Sequence, residues 1–228
     1  MDPASEYSPA AEPTGLPITL LFFPTAEQPT MSMRNTPIFA IAAGLSWLWT
    51  GAAAAHTFGA EGAGLVEGLA HPFLGLDHLL AMVAIGFWAT QLGDRALWLV
   101  PVAFVLMMAG GAWLGHLNLE ISHVELMIAG SVLVLGLMIA ASVRLATAGS
   151  VLAVSVFALF HGYAHGQEMP KAGAPLSYAA GFVLATVCLH LVGIGLGHAL
   201  SPRPRFVRLA GGLIATAGAC LLVGQGLA

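Results

Sequence analysis

The chain has 228 residues, 58% of them hydrophobic and 8% charged, with a formal net charge of −4 and a mean hydropathy of +0.87. Soluble domains are about a quarter charged, so this composition excludes that class and points to an all-α, polytopic membrane helix bundle. Such a length holds about six or seven spans of ~20 residues, the expected surroundings are a lipid bilayer, and no nucleic-acid partner is expected.

In chain order, Pro3, Pro9, Pro13, Pro17, Pro24 and Pro29 punctuate the start. Residues 1–32 therefore read as disordered, or as a stretch upstream of a true start at Met31 or Met33. Residues 33–55 have the pattern of a signal peptide: basic Arg34, an apolar run from Ile38 to Trp49, then Ala53, Ala54 and Ala55. Cleavage after Ala55 leaves His56 as the mature amino terminus. The alternative is an uncleaved extra transmembrane helix. Residues 56–228 form the main domain, with six expected spans at 70–90, 95–115, 122–143, 148–168, 176–198 and 206–226. Cys188 and Cys220 lie in separate apolar runs, which predicts packing roles and no disulfide.

Basic residues set the expected orientation. Arg95, Arg144, Arg203, Arg205 and Arg208 occupy alternate breaks between spans, and the other breaks carry Lys171 alone. By the positive-inside rule the arginine breaks are cytoplasmic, so the mature amino terminus and the carboxyl terminus lie outside.

Two stretches carry chemistry. The first, His71-Pro72-Phe73-Leu74-Gly75-Leu76-Asp77-His78, opens an apolar run. A carboxylate at the centre of a membrane helix costs roughly 2.5–3.5 kcal/mol on insertion scales, so such a group marks a polar path or site. Read as a helix start, Pro72 and the Asp77 charge make sense, but the two histidines do not. His71 and His78 are two turns apart and share a face of a regular helix. Asp77 points elsewhere, so it either orients a histidine from the neighbouring face or the helix is distorted at Gly75.

The second stretch is Phe160-His161-Gly162-Tyr163-Ala164-His165-Gly166-Gln167-Glu168. His161 and His165 have the i, i+4 spacing by which one helix grips a metal ion, and Glu168 follows on the same face. The alternative is that these histidines hydrogen-bond between helices. Gly162 and Gly166 form a G-x-x-x-G that admits a second helix closely. Both motifs fall at the outer face, which makes His71, Asp77, His78, His161, His165 and Glu168 the expected metal ligands.

Weaker candidates for an additional metal pathway are His56, His116, His123 and His190. His56 offers an α-amino group and an imidazole together; His116, Glu120, His123 and Glu125 form either a cation-collecting vestibule or an ordinary polar loop. His190 sits near mid-membrane, and His198 reads as interfacial structure.

These residues carry a resemblance. The two motifs, His71-Pro72-x-x-Gly75-x-Asp77-His78-x-Leu80-Ala81-Met82 and Phe160-His161-Gly162-x-Ala164-His165-Gly166-x-Glu168, resemble the two signatures of the HupE/UreJ family of nickel permeases. The likeness covers about residues 56 to 228. It implies secondary uptake of nickel, or cobalt, as transported substrate across the bacterial cytoplasmic (inner) membrane, with a link to hydrogenase or urease maturation proteins. It implies no permanently bound cofactor and no enzymatic activity. Independently, Lys171 is the only lysine and no P-loop is present, so uptake would draw on the membrane potential. A membrane-embedded, histidine-ligated metalloenzyme of hydroxylase or lipid-hydrolase type is the alternative, although neither H-E-x-x-H nor H-x-x-H-H occurs.

Overall fold

Apolar runs broken by glycine, proline and arginine become seven helices in the computed structural model, which describes residues 64–117, 119–169 and 174–226. They are α1 Leu65–Leu74, α2 Leu76–Leu92, α3 Ala96–His116, α4 Val124–Ala140, α5 Thr147–Glu168, α6 Pro175–Leu200 and α7 Pro204–Gly226. No strand occurs among the described residues. Local chemistry sets several ends. Glu67 accepts a hydrogen bond from the Gly64 N–H at 2.7 Å, closing the first turn of α1. Gly93, with φ 71°, supplies the left-handed residue that ends α2. Pro175 and Pro204 each open a helix, where a missing N–H costs nothing.

Helices α3, α5, α6 and α7 are each long and apolar enough to cross a membrane. The expectation of six continuous spans needs correcting at two places. The first span, expected as one helix over 70–90, is α1 and α2 bent by 87° about Gly75. There Pro72 withdraws an N–H from the helical ladder, and Gly75 is extended at φ −96°, ψ 119°. The 17-residue α4 is apolar but shorter than the other spans, about 25 Å by its rise. The expected extension 1–32, the signal 33–55, His56 and Lys171 lie outside the described residues.

Glycines decide which helices pair. A Cβ on Gly111 or Gly115 of α3 would run into the backbone of α5 at Leu159 and Tyr163, and one on Gly162 or Gly166 would strike Met108 and Ala112 of α3. The two helices run parallel at backbone contact. The α2–α6 pair is built likewise, with Gly86 against the His190 carbonyl and Gly193 against that of Val83. Helices α4 and α7 meet antiparallel through Gly136, Gly211 and Gly218. Without a hydrophobic drive between helices in lipid, close packing of this kind is a main source of association. The core between the pairs holds Met82, Ile85, Trp88, Val100, Phe104 and Leu135. Trp88 Nε1–H donates to the Val143 carbonyl (2.9 Å) and Gln91 Nε2–H to that of Ile139 (3.1 Å), tying the end of α2 to the end of α4. Cys188 and Cys220 are free, as expected, but exposed on the outside of the bundle rather than packed within it.

Candidate metal centre

The break at Gly75 lets one stretch of chain present polar groups from two directions. His71 lies in the last turn of α1, and Asp77 and His78 in the first turn of α2. The last two turns of α5 carry His161, His165 and Glu168. All six lie at the end of the bundle where α5 finishes and α2 and α6 begin.

His71 Nε2 is 3.2 Å from Glu168 Oε2, and His165 Nδ1 is 3.7 Å from the same oxygen. Among the described residues these three side chains form a set able to hold one cation, with ligand atoms all within 4.8 Å of one another. Bonds of ~2.1 Å, as for zinc, allow at most ~4.2 Å between ligand atoms, so the set must draw in by under ~1 Å to close on an ion. Glu168 is the outermost member, 41% exposed at its side chain, whereas His165 is 3% exposed.

His78 and His161 make a second layer, with ring centroids 5.1 Å apart; His165 joins the two, 4.2 Å from His78 and 4.9 Å from His71. Their hydrogen bonds determine which nitrogen is left for a ligand. Asp77 Oδ1 accepts from both the backbone N–H and the ring Nδ1 of His78, each at 2.8 Å. The Phe157 carbonyl, which can only accept, takes the Nδ1–H of His161 at 2.9 Å. In both neutral rings the proton is on Nδ1 and the lone pair on Nε2. Both Nε2 atoms are buried without a partner. This is how metal-binding histidines are commonly held, with one nitrogen fixed by an oxygen and the other free.

Gly75 makes the Asp77–His78 pair fit. Its φ of −96° is open to any residue, but a Cβ there would sit 2.9 Å from Asp77 Oδ1 and 3.0 Å from His78 Nδ1. The position needs space rather than a special backbone angle.

Residues 44–221, most of the chain, match the family model described as HupE / UreJ protein. The chain belongs to this family. It is similar to Protein HupE of Rhizobium leguminosarum bv. viciae, 50% identical over 163 residues that cover 71% of this chain and 85% of the relative. No solved structure matches it. With its long apolar helices, this HupE/UreJ family member is a multi-pass membrane protein.

The family member's other candidates are spread more widely. His116 ends α3, and His123 caps α4 in a left-handed conformation (φ 64°), both exposed. Glu120 and Glu125 are exposed on and just after the same connection. His190 is buried deeper in α6, and His198 is exposed near its far end. Spacing does not work as expected within the two motifs. His71 and His78 converge because the chain turns between them, not because they share a helical face. His161 turns toward His78 and Phe104 instead of joining the three-ligand set with His165.

Aromatic neighbours of the site, Tyr178 beside His71 among them, were not anticipated from the sequence. Phe182 of α6 packs 4.1 Å from the His165 ring and 5.9 Å from His71, and Phe104 of α3 lies 5.8 Å from His161. Tyr163, buried between the two α5 histidines, donates its hydroxyl to the Leu119 carbonyl and accepts from Ile121 N–H and Gln167 Nε2–H at 3.1 and 3.0 Å. It pins the α3–α4 connection to α5. The residue was visible inside the motif; its partners, more than forty positions away, were not.

Proposed function

We propose that the protein is a secondary transporter that takes up nickel, or cobalt, across the cytoplasmic membrane. The observation that carries this reading is the His71–His165–Glu168 set beside a broken membrane helix, backed by two buried, partnerless Nε2 atoms. Mixed nitrogen and oxygen ligands suit divalent ions of this group, and transporters build ion sites where a spanning helix is interrupted. The ion enters at Glu168, exchanges water for the imidazoles of His71 and His165, and passes to Nε2 of His78 and His161. Asp77 positions His78 and offsets part of the cation's charge.

The membrane potential supplies the driving force. Arg95, Arg144 and Arg203 sit at the opposite end of the helices from the site, in the turns after α2, α4 and α6. That asymmetry supports a cytoplasmic position for those turns and an outer position for the site. A divalent ion moving inward gains about 4.6 kcal/mol per 100 mV, from ~2.3 kcal/mol for each charge. The nickel delivered would serve hydrogenase or urease maturation. The chain acts as a permease, with the metal as cargo and no resident cofactor.

The deciding experiment is radiolabelled nickel uptake into proteoliposomes with an imposed inside-negative potential, with unlabelled cobalt as competitor. Wild type should accumulate nickel, and His165→Ala and Glu168→Ala should not, although both insert. Uptake by either variant at the wild-type rate would overturn the assignment of the site.

A further inference from the structure

One polar side chain lies well inside the bundle with nothing to bond. His190 of α6 is 2% exposed, and neither ring nitrogen has a hydrogen-bond partner. A buried polar atom left unpaired costs about 1–3 kcal/mol, and lipid offers no water to relieve it. Leucine would fill nearly the same space without that cost. Packing alone therefore gives no reason for an imidazole here.

Its neighbours suggest one. The Phe104 ring meets the His190 ring edge-to-face at 5.2 Å and the His161 ring at 5.8 Å. One phenyl ring thus contacts both His190 and the inner layer of the metal centre. Along α6, Phe182 packs against His165, the buried Thr186 follows one turn on, and His190 one turn after that. Eight residues of helix place His190 about 12 Å deeper than the level of Phe182, on the same helical face.

Building on the transport reading above, we propose that His190 is a second, inner station for the imported divalent cation, linked to the outer centre through Phe104. An ion leaving Nε2 of His78 and His161 passes the edge of the Phe104 ring and binds one imidazole, keeping waters of its own hydration shell in its other positions. One protein ligand holds it less firmly than the several outside, so it can be released inward. A path needs each site weak enough to leave.

The test pairs two measurements on the full chain. Nickel affinity is measured on detergent-solubilised protein by equilibrium dialysis, and nickel uptake on proteoliposomes under an inside-negative potential. His190→Leu should leave affinity at the outer centre within about twofold, because His190 is outside the His71–His165–Glu168 set. Its uptake rate should fall by about tenfold or more, the usual scale for a metal-site defect. His190→Cys, which restores a ligand atom, should recover part of the rate. Uptake by His190→Leu at the wild-type rate would overturn the proposal. So would loss of outer affinity in both variants, because His190 would then be a support for the outer centre. Wild-type protein that binds nickel but carries none would instead overturn the transport reading itself.

Discussion

Asp77 accepts two hydrogen bonds from the residue that follows it, and those bonds decide which nitrogen of His78 faces an ion. In Asp77→Asn the amide can turn its NH2 toward the ring and shift the proton to Nε2, hiding the lone pair. Nickel affinity should fall by about 10–100-fold, the range for loss of a group that orients a ligand. Isothermal titration of the solubilised protein would show it, and an unchanged Kd would mean that something else aims His78. Gly75→Ala should weaken nickel binding too, because the new methyl would push into both side chains of that pair. Gly93→Ala is the control: nothing lies within 4 Å of its Cβ, and its φ of 71° makes the change a matter of strain, about 1–2 kcal/mol. It should lower the unfolding temperature and leave nickel affinity alone. The gathering of His71, Asp77, His78, His161, His165 and Glu168 at one end of the bundle was legible because ionisable groups are costly in an apolar run. Their division into a rim set and an inner pair was not, since it depends on a bend and on the acceptors for each Nδ1.

Among the helices, the α3–α5 pair is held at backbone contact by glycines from both sides. Gly162→Ala sets a methyl against the Met108 backbone, which cannot withdraw as a flexible side chain would. Overpacking of this sort costs about 1–3 kcal/mol, so thermal unfolding in detergent should show a clear drop. Gly110→Ala, on the partner helix α3 with open space around it, should be neutral or slightly stabilising. Equal effects from the two would refute the contact as the cause. Half of this pairing was readable: Gly162-x-x-x-Gly166 announced a close neighbour. Which helix answered was not, because the matching Gly111-x-x-x-Gly115 of α3 announces a neighbour without naming it. The break in the first span was similarly hidden. Pro72 and Gly75 are each tolerated inside membrane helices, and only together, with a site to serve, do they end one helix and start another.

For the molecule as a whole, polarity is arranged end to end, with arginines in the turns at one end and the carboxylate–imidazole centre at the other. If the potential drives uptake, clamping it to zero with potassium and valinomycin should abolish accumulation. A 100 mV potential should sustain a gradient of about three powers of ten, from ~4.6 kcal/mol at 1.4 kcal/mol per decade. Accumulation that follows ATP and ignores potential would point to a partner ATPase. The helical class was plain from composition, since so few charges leave little choice but lipid. The uneven lengths of the segments were not, because hydropathy registers apolar residues and not where a helix starts or bends.

The unequal exposure of the rim ligands has a consequence for abundant ions. Glu168 meets the surroundings while His165 is almost sealed, so in the proposed transport an arriving cation would encounter oxygen before nitrogen. Magnesium is content with a carboxylate but holds its waters and gains little from imidazole. It would occupy the doorway and go no further. Nickel would improve its position at the next exchange, trading oxygen for nitrogen. Sorting would then come from the order in which hard and softer donors are met, and magnesium would act as a bystander that delays entry without ever being carried.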